Sequence, residues 1–150
     1  MFAPSQFNIM QPDNFHVKLT LRLDWSEMDL FGHVNNVMFF KYIQASRVNY
    51  WETTGISELY EQTGTGPILA SAACQFRQPL HYPGTIVVQA RADFIKNTSF
   101  GLHHRILNEK GEIAAEAQDV IVMFDFAKNK KVPFPQHLRE AISRLENRAL

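Results

Sequence analysis

The hydrophobic period of this chain changes abruptly, within about a dozen residues near its start, and that change limits the folds open to it. From His16 to Trp25, Val17, Leu19, Leu21, Leu23 and Trp25 alternate with Lys18, Thr20, Arg22 and Asp24. Strict period-two alternation marks a strand with one face in a core. From about Val37 to Thr54 the spacing is helical instead. Phe39, Tyr42, Ile43, Ser46 and Tyr50 share one face, with Lys41, Gln44 and Glu52 on the other side. Phe40, Val48 and Trp51 widen the apolar surface, so this helix is expected to be covered on more than one side. Asn35 or Asn36 is placed to cap its start, and Gly55 to end it in a left-handed conformation.

The remainder reads as strands. After Gly64-Thr65-Gly66-Pro67, the stretch from Ile68 to Arg77 is apolar and rich in small residues, and Pro79 and Pro83-Gly84 make a turn. Ile86, Val88, Ala90, Ala92 and Phe94 alternate with Val87, Gln89, Arg91 and Asp93. Lys96-Asn97 then turns the chain into a strand from Ser99 to Leu107. A turn over residues 108–111 leads into a last strand, Glu112 to Phe126, whose run Val120 to Phe124 suggests burial on both faces. Pro133 and Pro135 close the sheet, and Gln136 to Asn147 reads as a short polar helix. Strands grouped around one long helix predict an α+β domain with a mainly antiparallel, five-stranded sheet. Fully burying each of Phe39, Ile43 and Tyr50 against it contributes on the order of 1.5–3 kcal/mol. Residues 1–15, with Pro4 and Pro12, read as an N-terminal arm, and 16–150 as a single domain.

Composition narrows the function classes. Lys plus Arg and Asp plus Glu each number 15 in 150 residues, which argues against a general attraction to nucleic acid or anionic membrane. Cys74 is the one cysteine, so neither an internal disulfide nor a zinc site of paired cysteines can form. Set mid-strand among alanines, it reads as packing. His103 and His104 are adjacent on a strand and point to opposite faces, so they cannot share a metal. No metal or cofactor is expected. The N-terminus shows no basic stretch followed by an apolar run, and no segment reaches membrane-spanning length. A cytoplasmic protein is the expectation. No Gly-x-Ser-x-Gly elbow and no phosphate-binding glycine loop is present.

The unusual chemistry lies where the period changes, in Ser26-Glu27-Met28-Asp29-Leu30-Phe31-Gly32-His33-Val34-Asn35-Asn36. Gly32 permits a tight turn, and the segment feeds directly into a helix N-terminus, where free N–H groups favour developing negative charge. A carboxylate beside a carbonyl held by such donors makes an acyl-transfer site. By residue type alone the plainer reading leads: Asp29 stabilises a turn and an asparagine caps a helix. Glu27 reads as an exposed loop carboxylate.

The pattern Asp29-x-x-Gly32-His33-Val34-Asn35-Asn36, followed by an aromatic-rich helix containing Ala45-Ser46-Arg47, resembles the hotdog-fold thioesterases of the 4-hydroxybenzoyl-CoA thioesterase type. Phe76-Arg77-Gln78-Pro79, with Pro83-Gly84 before a strand, resembles that family's second recurring feature, and the likeness spans roughly residues 16–128. It implies a hotdog fold, a sheet wrapped around the long helix, and hydrolysis of an acyl-CoA to free acid and CoA. Asp29 matches the catalytic carboxylate, as nucleophile or general base, and the backbone N–H of Asn36 the group that polarises the thioester oxygen. His33 belongs to the signature as a thioester contact, a water-positioning group or an orienting hydrogen bond, and Asn35 as a substrate-side residue. Lys96, Asn97 and Thr98 fall where a related enzyme holds CoA phosphates, and Arg77 is a further candidate. The resemblance also implies a homodimer, or a homotetramer of two dimers, with active sites between subunits. Two other readings stand beside it: hydrolysis of acyl-ACP, the acyl carrier protein thioester, and a hotdog module that binds a thioester without cleaving it.

Overall fold

A computed structural model describes residues 13–150; most of the expected arm, residues 1–12, lies outside the described residues. Phe15 is buried, edge-on to His103 and beneath the Arg91 and Arg105 guanidiniums. Packing against the sheet therefore begins just before residue 16.

The first strand, β1 (Val17–Arg22), ends earlier than its alternation suggests. Asp24 stops it by accepting from the Ser26 N–H while its own N–H donates to Glu27, a capping box that winds Trp25–Glu27 into one turn of 3-10 helix. Trp25 is thereby turned out to solvent. Helix α1 (Asn36–Thr54) follows the Asp29 loop, capped by the Asn35 side chain and ended by Gly55 at φ 88°. That glycine leads directly into a second helix, α2 (Ile56–Thr63), an element the sequence reading leaves out although Ile56, Leu59 and Tyr60 fall at helical spacing.

Strands β2 (Thr65–Phe76), β3 (Thr85–Ile95), β4 (Ser99–Leu107) and β5 (Ile113–Asp125) complete a wholly antiparallel main sheet in the order β1-β3-β4-β5-β2. A two-residue strand, β6 (Lys130–Lys131), pairs with the end of β5. Along β5, Ile121 and Met123 are buried while Val120, Val122 and Phe124 are only half-buried. The expected two-sided burial fails there because the only described layer packed against the sheet is on the face toward the helices. This is the hotdog arrangement, a curled antiparallel sheet around α1.

The core falls into two clusters. One joins Phe39, Tyr42 and Ile43 to Ile86, Val88 and Ile106; the other joins Tyr50 and Ile56 to Ala92, Phe100, Leu102 and Ile121. On α1, Ser46 sits between them and begins a buried polar network. Its hydroxyl is 3.1 Å from His104 Nδ1, His104 Nε2 is 2.8 Å from Asp119 Oδ2, and Arg47 Nε donates to the same oxygen at 2.9 Å. His103 points to the opposite face, beside Phe15 and Glu116.

The last helix, α3 (Gln136–Glu146), is amphipathic rather than simply polar: Leu138 and Ile142 enter the second cluster. Its Glu146 is buried, accepting from the Tyr50 hydroxyl at 2.7 Å and from the Ala92 N–H at 2.8 Å. That N–H adjoins the irregularity in β3–β4 pairing between Ala92 and Phe94. Among the described residues no helix is long and apolar enough to cross a membrane.

Candidate active site

The Asp29 loop is a closed hairpin pinned at both ends. Met28 bridges Val34, the Asp29 N–H donates to His33 O at 2.7 Å, and the Val34 N–H donates to Leu80 O at 2.8 Å in the β2–β3 connection. Gly32, at φ 77°, lets the tip reverse, a conformation that a Cβ would strain. At the tip, Leu30 and Phe31 project into solvent. Asp29 is half-buried, and its Oδ1 accepts from the Phe31 N–H at 2.8 Å and the His33 N–H at 3.1 Å. Among the described residues nothing donates to Oδ2. One carboxylate oxygen is therefore held by the loop and the other carries no hydrogen bond within the described residues.

The start of α1 shows the same division. The Asn35 side chain takes the Val37 N–H at 3.1 Å, and its carbonyl takes the Met38 N–H. No group among the described residues accepts from the Asn36 N–H. Asp29, His33 and Asn36 line one open cavity of about 360 Å³, whose other walls are Val34, Phe39, Phe76, Arg77, Gln78 and Pro79. Polar groups occupy one side and apolar groups much of the other. Phe76 stands edge-on to Phe39 at 5.1 Å and to Phe40 at 6.5 Å. A second hollow touches Asp29 from the Trp25 and Tyr82 side. The start of α1 does not line it.

The remaining expected residues divide. His33 lies against His81, ring centroids 4.9 Å apart. Asn35 is occupied as a cap. Arg77 reaches the cavity, but its guanidinium is paired with Glu116 at 2.5 Å. Lys96, Asn97 and Thr98 lie elsewhere in the chain, in the β3–β4 turn. There Lys96 O accepts from Arg139, Asn97 O from the Phe134 N–H, and Thr98 O from the Met123 N–H. Asp29 adjoins the other end of β3, roughly 30 Å away along the strand.

Glu27 corrects its sequence reading most sharply. It is buried, not exposed, and is taken up by Tyr42, Lys41 and the Asp24 N–H. The capping-box spacing of Asp24 and Glu27 was the available signal. The Ser46–His104–Asp119–Arg47 network was not foreseen either, although Asp119 on an inward strand position, among apolar neighbours, marks it.

Residues 23–142 match the model of the thioesterase-like superfamily. The chain belongs to that superfamily. The uncharacterized protein YsmA of Bacillus subtilis (strain 168) is 28% identical over 130 residues, covering 86% of this chain and 85% of that one. Among solved structures, a thioesterase from Thermus thermophilus complexed with coenzyme A and Zn superposes with a TM-score of 0.81 at 25% identity, over 92% of this chain and 99% of the other. The PA2801 protein of Pseudomonas aeruginosa gives 0.77 at 29% identity, over 85% and 98%. Among the described residues no group of three or more His, Cys, Asp or Glu is placed to hold a metal ion.

Proposed function

We propose that this member of the superfamily hydrolyses an acyl-CoA to the free acid and CoA. One observation carries the reading: a carboxylate oxygen without a donor and a helix-start N–H without an acceptor, among the described residues, border the same partly apolar cavity. The thioester oxygen takes the Asn36 N–H, and the acyl group lies toward Val34, Phe39 and Phe76. Asp29 Oδ2 then either accepts the proton of an attacking water or itself attacks the carbonyl carbon. As base, Asp29 passes the proton of water to the CoA thiolate as the C–S bond breaks. As nucleophile, it forms an acyl–Asp29 anhydride as CoA leaves, and water then hydrolyses the anhydride, restoring the carboxylate and supplying the thiolate proton. His33 borders the reacting carbonyl. The likeness to a structure complexed with coenzyme A favours CoA over a protein carrier.

The same reading calls for two copies. The outer edge of β2, twelve residues long, is unpaired among the described residues, and Ile68, Leu69 and Phe76 are exposed on it, the last against Phe40 of α1. A long, apolar, open edge is a template for pairing with another chain. Antiparallel pairing of two β2 edges would set the Phe76 end of one beside the Thr65 end of the other. Ser99, next to the Lys96–Thr98 turn, lies opposite Val122, which in turn pairs with Ile68 near that Thr65 end. Each Asp29 cavity would then approach the partner copy's β3–β4 turn, so Lys96, Asn97 and Thr98 would meet the CoA nucleotide across the interface.

Steady-state hydrolysis of short, medium, long and aromatic acyl-CoAs by wild type and Asp29→Asn tests the reading. At least one substrate should turn over, and the variant should lose about 100-fold or more in kcat with fold and assembly intact. Equal rates would remove Asp29 from catalysis. Failure of wild type to cleave any CoA or acyl carrier protein thioester would leave a binding module.

A further inference from the structure

Glu27 lies two residues before Asp29, where a second catalytic carboxylate would be sought, yet its oxygens are already engaged. Oε2 accepts from the Tyr42 hydroxyl at 2.5 Å and from the Asp24 N–H at 3.0 Å; Oε1 accepts from Lys41 Nζ at 2.9 Å. The residue is 5% exposed, and its backbone carbonyl accepts from the Asn35 N–H at 2.9 Å. Through its side chain it therefore grips the second turn of α1, and through its backbone it grips the cap of that helix. Asp29 hangs from one side of this clasp and the Asn36 N–H from the other.

We infer that Glu27 is a positioning residue that sets the separation between the Asp29 carboxylate and the Asn36 N–H. This rests on the thioesterase reading above and extends it. The clasp acts at a sensitive place, because misplacing reacting groups by about 1 Å costs up to roughly 100-fold in rate. Its electrostatics suit a fixed acceptor. Burial pushes the Glu27 carboxyl up, but the hydrogen bonds from Tyr42, the Asp24 N–H and Lys41 outweigh burial and hold it below its ordinary value. Burial and the same carboxylate push the Tyr42 hydroxyl well up, so it remains a donor.

The test is a kinetic cycle on the best acyl-CoA, well below the melting temperature, with Glu27→Ala, Glu27→Gln, Tyr42→Phe, Asp29→Asn and the Glu27→Ala/Asp29→Asn double variant. Glu27→Ala should lower kcat roughly 10- to 100-fold with KM within about two-fold. Glu27→Gln keeps an oxygen acceptor for Tyr42 and Asp24, and should recover most of that loss. The double variant should be no slower than Asp29→Asn, since Glu27 acts through Asp29. Wild-type kcat in Glu27→Ala, or additive losses in the double variant, would overturn the inference. Where Glu27→Ala does not fold, Tyr42→Phe carries the test: a several-fold fall in kcat at constant KM supports the clasp, and an unchanged kcat refutes it. Failure of the thioesterase reading itself shows separately, as an inactive wild type or a fully active Asp29→Asn.

Discussion

Replacing Asn36 by proline deletes one hydrogen-bond donor and puts a ring Cδ in its place at little cost to the helix, because of where Asn36 sits. It is the first residue of α1, a position at which proline is favoured because the missing N–H has no intrahelical partner. Proline also restricts the preceding residue to extended conformations, and Asn35 already has φ −59° and ψ 137°. The Asn36 side chain is exposed, so its loss should disturb no packing. Stability should therefore change by less than about 1 kcal/mol. If the Asn36 N–H polarises the thioester oxygen, deleting it should cost about 10²–10³-fold in kcat, equivalent to roughly 2.7–4 kcal/mol of transition-state stabilisation. Asn36→Ala retains the N–H and should stay within a few-fold of wild type. The assay is steady-state thiol release from the preferred acyl-CoA, with thermal melts of each variant. Asn36→Pro that melts like wild type and turns over within three-fold of it would refute the assignment of this donor.

Four further outcomes are expected. Asp119→Ala strands His104 and Arg47 around a lost carboxylate; breaking such a buried pair costs about 3–5 kcal/mol, or roughly 6–20 °C in a domain of this size, measurable by calorimetry. Burial raises the Asp119 carboxyl, but hydrogen bonds from His104 and Arg47 outweigh it and hold the group below its ordinary value. Its contribution is thus complete above the unfolded value of about 3.9 and is lost as pH falls through the lower folded value, so the stabilities of wild type and Asp119→Asn in denaturant unfolding should begin to draw together only as pH falls below about 4. Gly101→Ala would drive a Cβ into the Phe94 ring and should destabilise by about 1–3 kcal/mol, with Phe94→Ala relieving the clash in the double variant. Leu69→Lys on the open β2 edge should shift light-scattering mass toward the monomer, and an unchanged mass would count against pairing through that edge.

Local pattern alone determined much of this protein. Period-two alternation, the helical face from Phe39 to Tyr50 and the Gly and Pro punctuation located β1, α1 and β2 to β5 to within a few residues. They do so because backbone period and turn chemistry are properties of neighbouring residues. The loop, cap and helix start from Asp29 to Asn36 were legible for the same reason, being consecutive in the chain, whereas their reading as a thioester site came from the family resemblance.

Tertiary contact decided the rest. Nothing adjacent to Glu27 says that Tyr42 and Lys41 will close over it, so its residue type suggested solvent. Ser46, His104 and Asp119 come from three elements and become a network only when α1 lies on the sheet. Glu146 finds its partners, the Tyr50 hydroxyl and the Ala92 N–H, only when α3 packs against α1 and β3. The position of Lys96, Asn97 and Thr98 at the end of the sheet away from Asp29 is a fact of strand direction and length. Burial and long-range hydrogen bonding depend on which surfaces meet, and that is settled by the whole chain packing at once.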